Sequence, residues 1–301
     1  MNSGVAAPLL RHLLTNNNQT LSDGSQRKLV RTGDGIYHLI YESLSAIWYT
    51  HSLTTDFNGT WSDEMGVELG ENPSVANYGN TLKIVCEKAN PDFSAAGKIE
   101  VITISDYNNY NTWDFEEVAD YSTSYYGSAK PVITYNNTFT FIVYRKNPST
   151  GLYRLGKVSS GSWEEDVITG TNANCFNPSV TCMASSVFLA YENFYNIYYN
   201  SAGYAGWRFN ETPEEISSSS GNNVNVFPGI SLAGNSTYPV VTWIGSYSST
   251  GIGKETSGSG NISPMVVARR RGVQTGVHSS NPAVMFIPLI VILPAIAQNR
   301  Q

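Results

Sequence analysis

Apolar and polar positions follow the same order in several stretches of the chain. The stretch 177–192 begins with Asn-Pro, continues with an apolar run, a polar turn and a second apolar run, and ends in Tyr-Glu. Related stretches cover 72–87 and 130–145, a looser copy covers 227–243, and Asn281 begins another. Short alternating or β-branched runs separated by Gly, Asn, Ser and Pro predict β-strands.

Two landmarks give the period of this repeat. One is a series of prolines and the other is a series of tryptophans that close the units, namely Pro73, Pro131, Pro178, Pro228 and Pro282, and Trp61, Trp113, Trp163 and Trp207. Both series recur at intervals of about 50 residues, which is the range of propellers and solenoids. Because each period contains four strand patterns and no helical one, it predicts a propeller blade.

The length of 301 residues then predicts one all-β domain, a six-bladed β-propeller of four-stranded antiparallel blades with an incomplete last blade. After an N-terminal arm at 1–26, the expected blades are 27–71, 72–129, 130–176, 177–226, 227–280 and a partial 281–301. The third blade is expected to have strands at 131–135, 139–144, 152–158 and 163–168, and the fourth strand of the next blade is expected to open at Trp207. Either the arm supplies the missing strands or the chain is a truncated or frame-altered piece, since an open ring exposes strand edges.

Composition and charge limit the classes of partner and the locations that are expected. Only 14% of the residues are charged and the net charge is -6, so no nucleic-acid partner is expected. Little charge with much Ser, Thr and Asn suits an extracellular or cell-surface protein, although 1–26 shows no signal peptide pattern. No transmembrane helix is expected, because the apolar stretch 284–297 contains two prolines and is shorter than the ~20 residues of a spanning helix.

Cysteine and histidine positions predict structural roles. Three cysteines are too few for a disulfide scaffold, and Cys86 on a strand is expected to be a small buried residue. Cys175 and Cys182 either stay free or pair in an oxidising compartment. His38 is expected to be a half-buried structural residue. The four histidines lack metal-ligand spacing, and neither a metal nor a cofactor is expected.

The stretch 54–61 resembles the Asp-box, or bacterial neuraminidase repeat, of the sialidases. Asn58 stands where that family has glycine, and both residues tolerate the left-handed conformation of such a turn. The resemblance implies a sialidase-like propeller and a structural role for five residues in the turn between the third and fourth strands, namely Thr54, Asp56, Asn58, Thr60 and Trp61. It also implies that Asp56 accepts backbone hydrogen bonds in its own loop and that Trp61 packs between blades.

Sialidases further share an Arg-Ile-Pro signature, an arginine trio that grips the substrate carboxylate, and a Tyr nucleophile assisted by Glu. This sequence contains no Arg-Ile-Pro, and arginine is scarce in the repeats, which hold only Arg27, Arg31, Arg145, Arg154 and Arg208 before Arg269. The resemblance therefore implies the fold without the activity, and no catalytic residue is predicted.

One polar constellation follows from the expected topology. In a propeller, the end of each second strand and the start of each first strand reach the same face near the axis. The residues recurring at these two places are Glu42, Glu87, Arg145 and Glu192, and Asn72, Asn177 and Asn281. Such a ring can bind a sugar, a polyol or a cation, or it can simply cap strand ends. One residue earlier, alternation predicts interblade core residues, namely Tyr41, Tyr144, Tyr191 and Trp243.

We interpret the chain as a non-catalytic binding module for a carbohydrate or protein ligand. Two alternatives stay open, a plain structural scaffold and a glycoside hydrolase that uses Glu42, Glu87 or Glu192 as its carboxylates. Hydrolysis would require paired carboxyl groups ~5 to 9 Å apart.

Overall fold

The computed structural model describes residues 26–88, 97–121, 129–147, 149–217, 224–232, 239–246 and 263–267. In these ranges the chain is all-β apart from one 3-10 turn at Tyr110–Thr112. Each sheet is an antiparallel up-and-down meander of strands that follow one another in the sequence. Within the same ranges, no helix has the length and apolarity needed to cross a membrane.

The first two sheets share one long strand. Their strands are β1 (Leu29–Arg31), β2 (Tyr37–Ser43), β3 (Ala46–His51), β4 (Met65–Tyr78), β5 (Thr81–Lys88), β6 (Gly97–Ile104) and β7 (Asp114–Tyr121). Residues 65–69 of β4 pair with β3 and complete the first sheet. Residues 70–78 pair with β5 and begin the second sheet. The chain therefore passes from one four-stranded sheet to the next without a loop.

Three further sheets follow in order. Their strands are β8 (Val132–Tyr135), β9 (Phe139–Tyr144), β10 (Tyr153–Val158) and β11 (Glu164–Val167); β12 (Cys175–Met183), β13 (Ser186–Asn193), β14 (Asn196–Gly203) and β15 (Glu214–Glu215); and β16 (Val224–Leu232), β17 (Pro239–Ser246) and β18 (Ser263–Val267). We call residues 70–78 of β4, together with β8, β12 and β16, the inner strands, because each begins a sheet and contacts the next inner strand. This is the arrangement of consecutive propeller blades.

Several parts of the fold expected from the sequence lie outside the described residues. These are the partial sixth blade and all of the N-terminal arm except Gln26. The number of blades, their exact boundaries and the closure of the ring therefore stay predictions.

The strand pattern is predicted well by alternation and less well by the tryptophans. The four strands expected in the third blade match β8 to β11 within a residue or two. The strand expected from Trp207 onward is wrong, since β15 begins only at Glu214. Trp207 has a left-handed φ of 49° and only 3% exposure, and its ring packs on Phe139 and Phe141 of the previous sheet. The residue is a core contact between sheets instead of the start of a strand.

Four hydrophobic clusters fill the spaces between neighbouring sheets. The expected interblade residues are all buried, and Tyr144, Tyr191 and Trp243 belong to clusters that join successive sheets. Tyr41 is buried as well. Large aromatic residues at the end of the second strand therefore hold the sheets together, as alternation predicts.

The cysteines and His38 have structural environments. Cys86 is completely buried, as expected. Of the two alternatives for Cys175 and Cys182, the structure shows free thiols. His38 is fully buried, more deeply than its strand pattern predicts.

The contact between Gly156 of β10 and Trp207 leads to a test of this packing. A Cβ atom at Gly156 would lie 2.5 Å from Cε2 of the indole, which is closer than real atoms approach. Gly156→Ala is therefore expected to lower the free energy of unfolding by about 2–3 kcal/mol, measured by urea denaturation. Gly203→Ala is the matched control, because its Cβ would meet only the Ser185 carbonyl at 4.0 Å. Equal stability of the two variants would contradict the packing described here.

Candidate functional site

Three of the four inner strands, β4, β12 and β16, are distorted at the repeated proline. The pairing register shifts at Asn72-Pro73 in β4 and at Asn177-Pro178 in β12. Proline has no N–H to give to the ladder, and a bulge accommodates it. Asn72 and Asn177 have left-handed φ values of 51° and 46°, which asparagine tolerates better than most residues. The repeated Asn-Pro therefore marks a bulge at the start of an inner strand.

The recurring glutamates hold these bulges. Glu42 Oε2 accepts a hydrogen bond from the Asn72 backbone N–H at 2.9 Å. Glu87 Oε1 accepts one from the Lys130 backbone N–H at 2.8 Å and one from Asn72 Nδ2 at 2.9 Å. We call Glu42, Asn72, Glu87 and the Lys130 N–H the junction clamp, because they tie the second strand of one sheet to the start of the next. In the fourth sheet, Glu192 Oε2 accepts from Asn177 Nδ2 at 2.9 Å.

Arg145 interrupts this series of carboxylates. Its guanidinium lies 4.2 Å from the centre of the Phe176 ring, and Nη2 donates to the Ala173 carbonyl at 3.1 Å. Arg145 and Asn177 line one small cavity of ≈ 120 Å³ beside Lys130. The structure thus places six of the seven residues of the predicted constellation at the starts of inner strands, in two groups and with hydrogen bonds of their own, and Asn281 lies outside the described residues. A ligand-binding role for them stays a prediction.

The loop that resembles an Asp-box lies between β3 and β4, where the resemblance places it. Asp56 Oδ1 accepts a hydrogen bond from the Asn58 backbone N–H at 3.0 Å, and Thr60 and Leu53 pair through their backbones. Trp61 is half-buried, packs edge-on against Phe57 and donates to the Phe57 carbonyl at 3.2 Å. These ring and hydrogen-bond contacts of Trp61 lie within its own loop, and its packing between blades stays a prediction.

A second cavity of ≈ 210 Å³ lies between four inner strands. We call it the inner-strand cavity, and its lining includes Arg27, Ser74, Ile133, Ser179, Ile230 and Thr242. Hydroxyl groups and one guanidinium face aliphatic side chains across this space. Ser179 Oγ also accepts a hydrogen bond from the Ile230 backbone N–H at 3.1 Å, which joins two inner strands beside the cavity.

The segment before β1 is held against the inner strands. Gln26 is buried, and its Nε2 donates to the Asn72 carbonyl at 2.8 Å and to the Pro131 carbonyl at 2.9 Å. The Arg27 carbonyl accepts from the Val75 N–H at 2.9 Å. These bonds fix the backbone of Arg27 and so direct its side chain to the lining of the inner-strand cavity.

The charge of Arg27 has no counter-charge in this cavity. Burial lowers the pKa of the guanidinium, since desolvation disfavours the charged form, and Cys182 acts in the opposite direction. Arginine nevertheless stays protonated in proteins. Within the described part of the chain, the guanidinium has no hydrogen bond or ion pair. A partly desolvated charge of this kind gains from a partner that neutralises it, so the cavity is suited to an anion.

Sequence reasoning located the repeat but missed this cavity. It selected residues before the repeated prolines, whereas the lining comes from the residues after them, such as Ser74 and Ser179. The sequence pattern Pro-Ser-Val at both positions carries this information. Arg27 has no counterpart in the other units, so no repeat pattern can identify it.

Comparisons with known proteins show similarity only among solved structures. No family model matches the chain, and no curated protein matches it. An α-L-arabinofuranosidase from Lactobacillus brevis is 10% identical over 77% of this chain and 86% of its own, with a TM-score of 0.46. A GH43 endo-arabinanase from Bacillus licheniformis is 10% identical over 84% and 95%, with a TM-score of 0.45.

The similar structures also include a sialidase, the family that the sequence resembles. The Trypanosoma rangeli sialidase in complex with the inhibitor DANA is 10% identical over 73% of this chain and 44% of its own, with a TM-score of 0.45. Similarity at this level assigns neither a family nor an activity to the chain.

Proposed function

We propose that this protein is a non-catalytic binding module that takes the acidic group of a small carbohydrate ligand into the inner-strand cavity. The observation that carries the proposal is the Arg27 guanidinium, which is half-buried and lines the cavity without a protein counter-charge in the described residues. A carboxylate can accept two parallel hydrogen bonds from a guanidinium, and such charge-assisted pairs are among the strongest in proteins.

The rest of the lining fits a sugar ring. Ser74, Ser179 and Thr242 offer hydroxyl groups, which can donate to or accept from ring hydroxyls. Ile133 and Ile230 offer aliphatic surface for the C–H face of the ring. Ligand sites combine an apolar lining with a few placed polar groups in this way. A volume of ≈ 210 Å³ suits a single ring better than a longer chain.

The positions of the carboxylates support binding over hydrolysis. Glycoside hydrolysis requires two carboxyl groups on either side of the bond that is cut. The lining known for the inner-strand cavity contributes no carboxylate, and Glu42, Glu87 and Glu192 accept hydrogen bonds at the junctions instead. We extend the proposal to an extracellular or cell-surface location, on the basis of the low share of charged residues.

Calorimetric titration with glucuronate, N-acetylneuraminate and glucose tests the proposal. The protein is expected to bind at least one of the two acids and not the neutral sugar. Arg27→Gln is expected to weaken that binding about 10- to 100-fold, since a hydrogen-bonded charge pair is lost. Arg208→Gln is the matched control, because Arg208 is exposed. Unchanged affinity in Arg27→Gln, or binding of glucose equal to that of the acids, would contradict an anion site at Arg27.

A parallel assay addresses catalysis. Fluorogenic sialosides and glucuronides are expected to remain uncleaved at protein concentrations that saturate binding. Turnover that survives purification and disappears in a Glu42, Glu87 or Glu192 variant would favour the hydrolase instead.

A further inference from the structure

Two hairpins close through two-residue turns of an unusual composition. β2 and β3 are joined by Leu44-Ser45, with φ values of 56° and 55°. β13 and β14 are joined by Phe194-Tyr195, with φ values of 49° and 66°. A two-residue hairpin turn with both central residues at positive φ is a type I′ turn, in which Asn-Gly is strongly preferred.

Phe194 and Tyr195 are poor choices for this turn on grounds of stability. A left-handed backbone crowds the Cβ atom of any residue other than glycine, and asparagine lessens the cost through local hydrogen bonds. Burial does not offset this cost, because the two side chains are 65% and 57% exposed. Within the described ranges, neither ring stacks on another aromatic ring. Leu44-Ser45 carries the same strain, so the feature that sets the Phe194-Tyr195 turn apart is its pair of exposed aromatic rings.

The position of this turn connects it to the inner-strand cavity. The first and second strands of each sheet are antiparallel. The turn that follows the second strand therefore lies at the end of the sheet where the first, inner strand begins. Phe194-Tyr195 therefore lies at the end of the fourth sheet where β12 begins, beside the Asn177 bulge, and the cavity residue Ser179 follows further along β12, opposite Ala190. At the base of the turn, the Asn193 side-chain oxygen is buried without a hydrogen-bond partner in the described structure. An unsatisfied acceptor of this kind points to a donor supplied from outside.

We propose that the Phe194-Tyr195 turn is a stacking platform for a neutral sugar ring of the same ligand. The inference rests on the proposed function and extends it, since the ligand becomes an oligosaccharide with an acidic end ring in the cavity and a neutral ring on the turn. A sugar ring has an apolar C–H face that packs on aromatic rings and a rim of hydroxyl groups that can donate to Asn193.

Other occupants fit this turn less well. Two adjacent side chains offer far less area than the roughly 800 Å² per partner of a stable protein interface. An anionic lipid surface is disfavoured by the net charge of -6 and by Glu214 and Glu215 on the neighbouring strand. An oligosaccharide needs only one ring contact at each site, and linking two weak contacts in one ligand raises the affinity.

The test replaces the turn by its preferred residues. The double variant Phe194→Asn, Tyr195→Gly is expected to unfold about 4–8 °C higher than the parent, because the strain is relieved. It is also expected to bind an alternating glucuronate and N-acetylglucosamine tetrasaccharide about tenfold more weakly, with unchanged binding of glucuronate. The matched control, Leu44→Asn with Ser45→Gly, is expected to be stabilised in the same way and to keep the parent affinity for both probes.

The outcomes separate this inference from the proposed function. Parent affinity for the tetrasaccharide in the Phe194 and Tyr195 variant, with glucuronate binding intact, would overturn the platform alone. Binding of both probes that survives in Arg27→Gln, together with tetrasaccharide binding that falls in the turn variant, would retain the platform and overturn the anion site. Failure of the parent protein to bind both glucuronate and the tetrasaccharide would overturn both proposals.

Discussion

Replacing Glu87 by alanine is expected to lower the free energy of unfolding by about 3–5 kcal/mol. The carboxylate is completely buried and accepts hydrogen bonds from the Lys130 N–H and the Asn72 side chain. Its removal leaves two half-buried donors without this acceptor, each costing about 1–2 kcal/mol, and adds a cavity. Glu211→Ala is the control, since this exposed glutamate is expected to change stability by less than about 0.5 kcal/mol.

Urea denaturation measures this loss, and amide hydrogen exchange locates it. The Lys130 N–H is expected to exchange faster in Glu87→Ala, because its acceptor is absent, while protection in the fourth sheet is unchanged. Glu87→Gln is expected to lose about half as much stability, since an amide oxygen in the place of Oε1 can still accept both bonds but carries no charge. A stable Glu87→Ala variant would mean that the junction clamp does not hold the sheets together.

The order of strands could be predicted from the sequence because it depends on local patterns. Alternation over Phe139–Tyr144 and the turns around it predict β9 and its neighbours almost to the residue. The tryptophans predicted a wrong strand start where tertiary packing decides the position of the residue. Trp207 leaves the strand to fill a space against Phe139 and Phe141, and no pattern within its own unit specifies that space.

The polar sites could be predicted only in outline. The repeat shows that Glu42, Glu87 and Glu192 share one position, but glutamate at a strand end usually faces solvent. Only the adjacent sheet turns Glu87 into a buried acceptor. Arg27 depends even more on tertiary structure, because the inner strands that form its cavity come from residues 47 to 215 positions further along the chain.

A second large effect is expected from acid, through two adjacent histidines in the first sheet, of which His38 is fully buried and His51 is half-buried. His38 Nδ1 is hydrogen-bonded to the Tyr49 hydroxyl at 2.8 Å, and Nε2 is hydrogen-bonded to the Thr32 hydroxyl at 2.9 Å. The His38 and His51 rings are 6.1 Å apart, and Nδ1 of His51 is buried without a hydrogen-bond partner in the described residues. Desolvation, with the nearby His51, lowers the pKa of His38 to about 4, and desolvation also lowers the pKa of His51.

The surroundings of the pair contain one acid and two phenols. The Asp34 carboxylate accepts hydrogen bonds from the Thr32 hydroxyl at 2.6 Å and from the Tyr107 hydroxyl at 2.8 Å. Its charge raises the pKa of His38 and so opposes the desolvation, which has the larger effect. Burial raises the pKa of both Tyr49 and Tyr107, and these groups stay neutral in the acid range.

Stability is therefore expected to fall as the pH is lowered from about 6.5, the unfolded pKa of histidine, towards 4. The unfolded chain takes up protons first in this interval, because the folded pKa values are lower, and the stabilisation is fully present only above the unfolded pKa. His38 is expected to account for about 2–3 kcal/mol of this loss of stability, allowing for partial hydration.

Urea denaturation between pH 7 and pH 4 measures the loss. His38→Gln is expected to flatten this dependence and His51→Gln to flatten it less. A His38→Gln protein with the parent's pH dependence would show that other groups cause the acid sensitivity.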